Sequence, residues 1–198
     1  MNTTMTCEKS KNAKLVSTKT SLIFLLFLIL SLVVIGCKKA PSIFDNSDLS
    51  RKNFAGERLQ SASFKNAVLK SAVFTGSDLR KSDFTGSTLS GSILSKTDLR
   101  GAIFNNTDLF SVDFSGSNLS GLSLNNLDLS YADFTHANLK KTDLSGSNLT
   151  GAVFSGAVIE GANLKGSNAS LDALYNARSL KDTILPNGSK YIHLKEKK

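Results

Sequence analysis

Residues 62–81 read ASFKNAVLKSAVFTGSDLRK, and the four large apolar side chains in this stretch, Phe64, Leu69, Phe74 and Leu79, stand five apart. The cadence continues without a gap in both directions. From Phe44 to Leu164 every fifth residue is Phe, Leu or Ile, twenty-five in succession, of which nine are Phe, fifteen Leu and one Ile. A five-residue step turns roughly 140° around an α-helix and would scatter these side chains over every side of it. A flat strand fails as well, because an odd step alternates faces. The chain therefore has to turn a corner inside every pentad. Pieces this short cannot bury an apolar side alone, so they must stack into a solenoid.

The other phases of the pentad agree. Two residues before most centres the side chain is small, as in Ala62, Ala67, Ala72, Ser77, Ser82 and Ser87, which marks a second inward position close to the wall. Two residues after it lie twelve of the fourteen glycines, at a phase that suits a tight corner with positive φ. Both prolines, Pro41 and Pro186, stand outside the repeats, where they delete no ladder donor. Sorting the centres by a period of twenty gives one column of Leu49, Leu69, Leu89, Leu109, Leu129 and Leu149 and another of Leu59 to Ile159, while every Phe falls in the two columns led by Phe44 and Phe54. Four walls are implied, with the Phe-rich ones opposite each other. About six coils at ~4.8 Å make a rod about 30 Å long.

Ser77-Asp78-Leu79, Ala132-Asp133-Phe134, Ala137-Asn138-Leu139 and Ala162-Asn163-Leu164 follow the pattern A(D/N)LXX, and over roughly residues 42–168 the chain resembles the pentapeptide-repeat family. The resemblance implies an all-β fold, a right-handed quadrilateral parallel β-helix with four pentads per coil. Ser170 followed by Leu171, Leu174, Ala177 and Leu180 predicts a short N-capped amphipathic helix that closes the C-terminal end.

Ahead of the repeats, residues 1–20 carry four lysines against one acid, and an apolar run from Leu22 to Gly36 ends at Cys37. Fifteen residues are too few for a comfortable bilayer span of ~20 and suit the core of a signal peptide. Val34-Ile35-Gly36-Cys37 resembles the lipobox of bacterial lipoproteins in a relaxed form, with Val34 at −3 and the bulky Ile35 at −2. The resemblance implies cleavage before Cys37 and acylation of that cysteine. Two or three acyl chains hold a protein on a membrane stably, at ~0.8 kcal/mol per buried CH2. Lys38 is not the aspartate that resembles an inner-membrane retention signal, so the outer membrane is the expected address. The resulting organisation is a signal peptide at 1–36, a lipidated tether at 37–43, the β-helix at 44–168, a C-terminal cap at 169–185 and a basic tail at 186–198.

Little in the chain is suited to catalysis. Two cysteines exclude a disulfide framework or a Cys-rich zinc site, and the only histidines, His136 and His193, fall at a solvent-facing corner and in the tail. The serines lack a histidine or lysine partner at a fixed spacing. Nine aspartates directly before centres, from Asp48 to Asp143, are spread over all four walls and are expected to solubilise them. No catalytic residue, metal site or cofactor is expected.

Two surface features are candidates for partner contact. Phe110 and Tyr131 occupy outward corner phases on successive coils and so share one edge. In the Leu59 column the position after the centre reads Gln60, Arg80, Arg100, Ser120, Lys140 and Glu160, with Lys81 and Lys141 adjacent. This basic ridge could meet an acidic partner such as lipid A phosphates, a glycan or an acidic protein, although Asp78 and Asp98 lie on the same wall.

Some pentapeptide-repeat proteins protect DNA gyrase by resembling duplex DNA in shape and negative charge. Residues 42–168 hold twelve basic and twelve acidic side chains, which gives no sustained negative potential. The excess positive charge lies at the two ends of the chain that would remain after cleavage. The expected function is a lipid-anchored, non-enzymatic scaffold of the cell envelope. Its expected partners are the membrane through acylated Cys37, an envelope protein or anionic glycolipid, and a second copy paired end to end, with no nucleic acid. The alternative is an intracellular DNA-mimicking, topoisomerase-binding module.

Overall fold

The computed structural model describes residues 42–191. The signal segment, Cys37 and the tail from Ile192, including His193, lie outside the described residues. Parallel bridges join residues twenty apart, from Ile43 with Ser63 and Asp48 with Val68 to Asn138 with Val158 and Asp143 with Asn163. A repeat of twenty built from pentads has four walls per coil, called here the Phe44, Leu49, Phe54 and Leu59 walls after their first centres.

Each pentad distributes its backbone N–H groups in a fixed way. Ser63 N–H donates down to Ser42 O at 2.9 Å, while Phe64 and Asn66 donate up to Asp83 O at 2.8 Å and Thr85 O at 2.9 Å. Ala67 N–H closes the corner on Phe64 O at 3.1 Å. The corner needs a left-handed residue two after every centre, and all the repeats supply one, with thirteen non-glycine residues and twelve glycines at positive φ. Glycine thus marks the corner but is not required for it.

The centres fill the bore. Phe64, Phe74, Leu79, Phe84, Leu89 and Leu99 are fully buried. On the Phe44 wall, rings stack coil on coil, Phe44 on Phe64 at 4.8 Å, Phe64 on Phe84 at 4.9 Å and Phe84 on Phe104 at 5.1 Å, all nearly parallel. The opposite wall repeats this with Phe54 on Phe74 at 4.9 Å. Across the bore the rings meet edge to face, Phe44 with Phe54 at 5.7 Å and Phe64 with Phe74 at 5.7 Å. Both arrangements suit the aromatic quadrupole, and each buried ring contributes about 2–3 kcal/mol of transfer free energy.

The small inward column carries buried hydroxyls, and most of them donate to the carbonyl of a centre. Ser82 donates to Leu79 O at 2.6 Å, and Thr142 donates to Leu119 O at 2.9 Å. The hydroxyls of Ser77, Ser92 and Ser167 are buried with no partner.

Val112, Leu122 and Leu127 are large at this small position and predict a widened coil. All three are buried. Val112 is absorbed, since Asp113 N–H still reaches Ser92 O and Asp133 N–H reaches Val112 O, both at 3.0 Å. Leu122 and Leu127 are not absorbed. Bridges join Ile93 to Asp113 and Asp98 to Asn118, but neither Ile103 with Ser123 nor Asp108 with Asp128 is bridged. Among the described residues, the N–H groups of Phe104, Asn106 and Leu109 find no backbone acceptor in the next coil. Between these coils a cleft of about 340 Å³ opens, lined by Asn105, Asn106, Asn125 and Asn126. The cause is steric: Leu122 and Leu124 stand over Ala102 and Phe104, so bulk has moved from the centre toward the wall.

The C-terminal end departs from expectation. The helix α1 spans only Leu171–Tyr175, and Ser170 makes no side-chain cap. Leu171 is exposed, whereas Ala169 and Leu174, which continue the five-residue cadence, are buried. One extra residue then shifts the register, and parallel bridges resume twenty-one apart, Val158 with Ser179 and Asn163 with Ile184. Leu180 and Leu185 take the inward positions that follow, Leu180 buried and Leu185 packed against the core. The end is covered by another coil in which one corner is helical. An amphipathic helix reaching Leu180 does not form, because Leu174 and Leu180 are both claimed by walls of the tube.

Two outcomes are expected. Ser77→Ala and Ser92→Ala remove buried hydroxyls that have no partner and should each raise stability by roughly 1 kcal/mol in denaturant melts. The double change Leu122→Ala with Leu124→Phe restores the pairing beside those residues and should slow amide exchange at Phe104 and Asn106 by an order of magnitude or more.

Candidate functional site

The outward residues stand on corners whose geometry the sequence leaves partly hidden. The N–H of the residue after each centre is the only one of the five that the ladder and the corner bond both omit. Wherever the residue before the centre is Asp or Asn, from Asp48 to Asn163, its Oδ1 accepts that N–H. Ser50 donates to Asp48 at 3.0 Å, Thr85 to Asp83 at 2.9 Å, Ser115 to Asp113 at 2.8 Å and Lys165 to Asn163 at 3.2 Å. These bonds contribute roughly 1 kcal/mol each. The aspartates therefore hold corners, a role the expectation of solubilised walls left out. Their confinement to one phase, two residues ahead of an otherwise orphaned donor, is the Asx-turn signal by which the sequence could have shown it.

The basic ridge becomes an ion-pair ladder. Arg80 donates Nε to Asp78 Oδ1 at 2.9 Å and a terminal nitrogen to Oδ2 at 2.7 Å, and it stands 3.6 Å from Asp98. Arg100 forks Asp98 at 2.9 and 2.7 Å, Gln60 donates to Asp78, and Lys140 pairs with Glu160 at 3.0 Å. The Arg80 hydrogen bonds hold the Asp78 carboxyl well below the usual carboxylate range, and those of Arg100 lower Asp98. Lysines 81 and 141 lie in left-handed corners and, among the described residues, make no ion pair within 4 Å. An external anion on this ridge would have to compete with the aspartates, already noted on the same wall, that Arg80 and Arg100 fork.

The aromatic edge forms as its spacing implies. Phe110 and Tyr131 meet edge to face at 5.7 Å, and both rings remain in solvent, 43% and 59% exposed. Tyr131 sits at φ +59°, a region that costs an L-residue about 1–2 kcal/mol and that Gly or Asn would occupy more easily. Its ring lies over Gly151, where an added Cβ would come 2.7 Å from the Tyr131 Cδ1. The pair is thus seated on backbone, on the edge diagonally opposite the ion-pair ladder. His136 is exposed at the neighbouring corner and lies over Gly156. Among the described residues no group of three or more His, Cys, Asp or Glu is placed to hold a metal ion.

The family model for pentapeptide repeats matches in eight copies, over residues 67–106, 82–121, 107–146 and 132–170. The chain belongs to the pentapeptide-repeat family. Its fold is the right-handed quadrilateral β-helix of that family. Similar solved structures include a pentapeptide repeat protein from the Arabidopsis thaliana thylakoid lumen, at 27% identity over 65% of this chain and 72% of that one, with a TM-score of 0.32. HetL, a pentapeptide repeat protein involved in heterocyst differentiation regulation from Nostoc sp. strain PCC 7120, is 25% identical over 75% of this chain and 89% of that one, with a TM-score of 0.25. QnrB1, a plasmid-mediated fluoroquinolone resistance protein, is 20% identical over 72% and 88%, with a TM-score of 0.33. No curated protein matches closely enough to count as a relative.

The pentapeptide-repeat walls give the ladder a pH signature. Asp78 and Asp98 titrate lower folded than unfolded, so the stability they contribute is complete above the ordinary carboxylate range near pH 4 and lost as pH falls below it. Asp78→Asn with Asp98→Asn should lower stability at pH 7 and flatten its fall between about pH 4 and 2, as read by urea melts.

Proposed function

We propose that this pentapeptide-repeat protein is a lipid-anchored rod of the bacterial cell envelope that binds a partner protein through one aromatic edge, without catalysis. The exposed Phe110–Tyr131 pair carries the reading. Two aromatic side chains meeting in solvent add nothing to the core in the bore and suit the anchor of a protein contact. A rod with every large centre packed in its bore offers such a contact pre-ordered, so little freedom is lost on binding.

The envelope address rests on the sequence before the rod. Val34-Ile35-Gly36-Cys37 after an apolar run supports acylation of Cys37, and the outer membrane follows from Lys38 beside it. The equal numbers of acidic and basic residues in the repeats favour this reading over a DNA-mimicking, topoisomerase-binding one, which needs a negative surface.

Growth with an alkyne-tagged palmitate should label the wild-type protein, and Cys37→Ala should abolish the label and release the protein from membranes. An unlabelled wild type would remove the anchor from the account. A photo-crosslinker at Tyr131 should capture a discrete protein partner in cells, and one at Lys141 on the opposite edge should not. Equal capture from both edges would remove the aromatic site.

A further inference from the structure

We propose that the C-terminal end of the rod carries a second binding site, a cleft for an acidic saccharide. The cleft, of about 750 Å³, is lined among others by Tyr175, Arg178, Lys181, Asp182, Lys190 and Tyr191, a volume suited to a small ligand. It exists because the last coil is irregular. α1 places Tyr175 at its end, the one-residue shift carries Arg178 and Lys181 past the Ile159 coil, and the chain then turns back. Lys190 pairs antiparallel with Ile184, and Tyr191 N–H donates to Thr183 O at 2.7 Å, which brings the second tyrosine over the same opening.

The chemistry of the lining selects the ligand. Lys190 Nζ stands 2.7 Å from Asp182 Oδ1, so that pair is internally balanced. Among the described residues Arg178 and Lys181 make no ion pair within 4 Å, and Glu160 on the coil below is already committed to Lys140 at 3.0 Å and to the Ser179 hydroxyl at 2.9 Å. Two cations are therefore available to an anion. Arg178 can fork a carboxylate, while Lys181 supplies a point charge. Asp182 beside these cations favours a ligand that carries hydroxyls to donate to its carboxylate as well as carboxylates of its own, over an anion without hydroxyl donors. The exposed ring of Tyr175 offers an apolar face to the C–H side of a pyranose. One carboxylate, several hydroxyls and an apolar ring face together describe a uronic-acid sugar. This site lies at the end of the rod and does not depend on the aromatic edge or on acylation.

Calorimetric titration of the full chain with trigalacturonate tests it, with maltotriose and inorganic phosphate as the other arms. Saturable binding of trigalacturonate is expected, with none of maltotriose at the same concentration. Arg178→Ala with Lys181→Ala should weaken it at least tenfold. Tyr175 is exposed at the end of α1, so Tyr175→Ala leaves the core untouched and decides the matter should the double variant unfold. It should weaken binding severalfold, while Tyr175→Phe retains it. Failure of trigalacturonate to bind, equal binding of maltotriose, or competition by phosphate with no effect of Tyr175→Ala would each overturn the site, the last by reducing it to a patch of charge.

Discussion

Everything in this molecule depends on one arrangement of backbone polarity. Each pentad sends two N–H groups to the coil above and one to the coil below, and it folds a fourth onto its own centre. A fifth is left at the corner. Chain directions repeat every coil, so any pentad that obeyed a different rule would orphan donors on two neighbours. Such groups are expensive to bury, which explains why the cadence survives 120 residues of otherwise variable sequence. The apolar centres supply the driving force, but the ladder dictates that they recur every fifth residue.

The same rule separates what the walls do from what the edges can offer. Centres and the small inward residues are consumed by the bore. Asp and Asn before the centres are consumed by the corner N–H, and the arginines of the Leu59 wall by those carboxylates. What remains free to meet a partner is found where the rule is relaxed. Phe110 and Tyr131 project from one edge, and a register shift at the C-terminal end opens a cleft between coil and returning chain. The break between the Ala102 and Leu122 coils has the same origin, with bulk misplaced by one inward position.

The period of five, the Phe columns on opposite walls, the small inward column and the pairing of Phe110 with Tyr131 were all legible in sequence, because each follows from counting residues along a rigid repeat. The widening at Leu122 and Leu127 was legible too. Val112 belonged to the same expectation and did not widen its coil, since its side chain is shorter than leucine and the ladder on both sides of it stays paired. The cap was misread for a related reason: Leu171, Leu174, Ala177 and Leu180 fit a helical stripe, yet Ala169 and Leu174 also sit on the pentad phase, and the tube claimed them.

By itself, then, the sequence determined the four-sided tube, its core and the places where large side chains had to face outward, since a repeat turns position along the chain into position around the rod. Charge pairing and register were settled only in three dimensions. Whether Arg80 stands free or forks Asp78, two residues before it on the same corner, depends on where the two side chains reach, and whether residues 176–191 form a helix or a shifted coil that opens a cleft depends on pairing with a coil twenty-one residues away. Those meetings are decided by local reach and by a single inserted residue, which a periodic pattern does not encode.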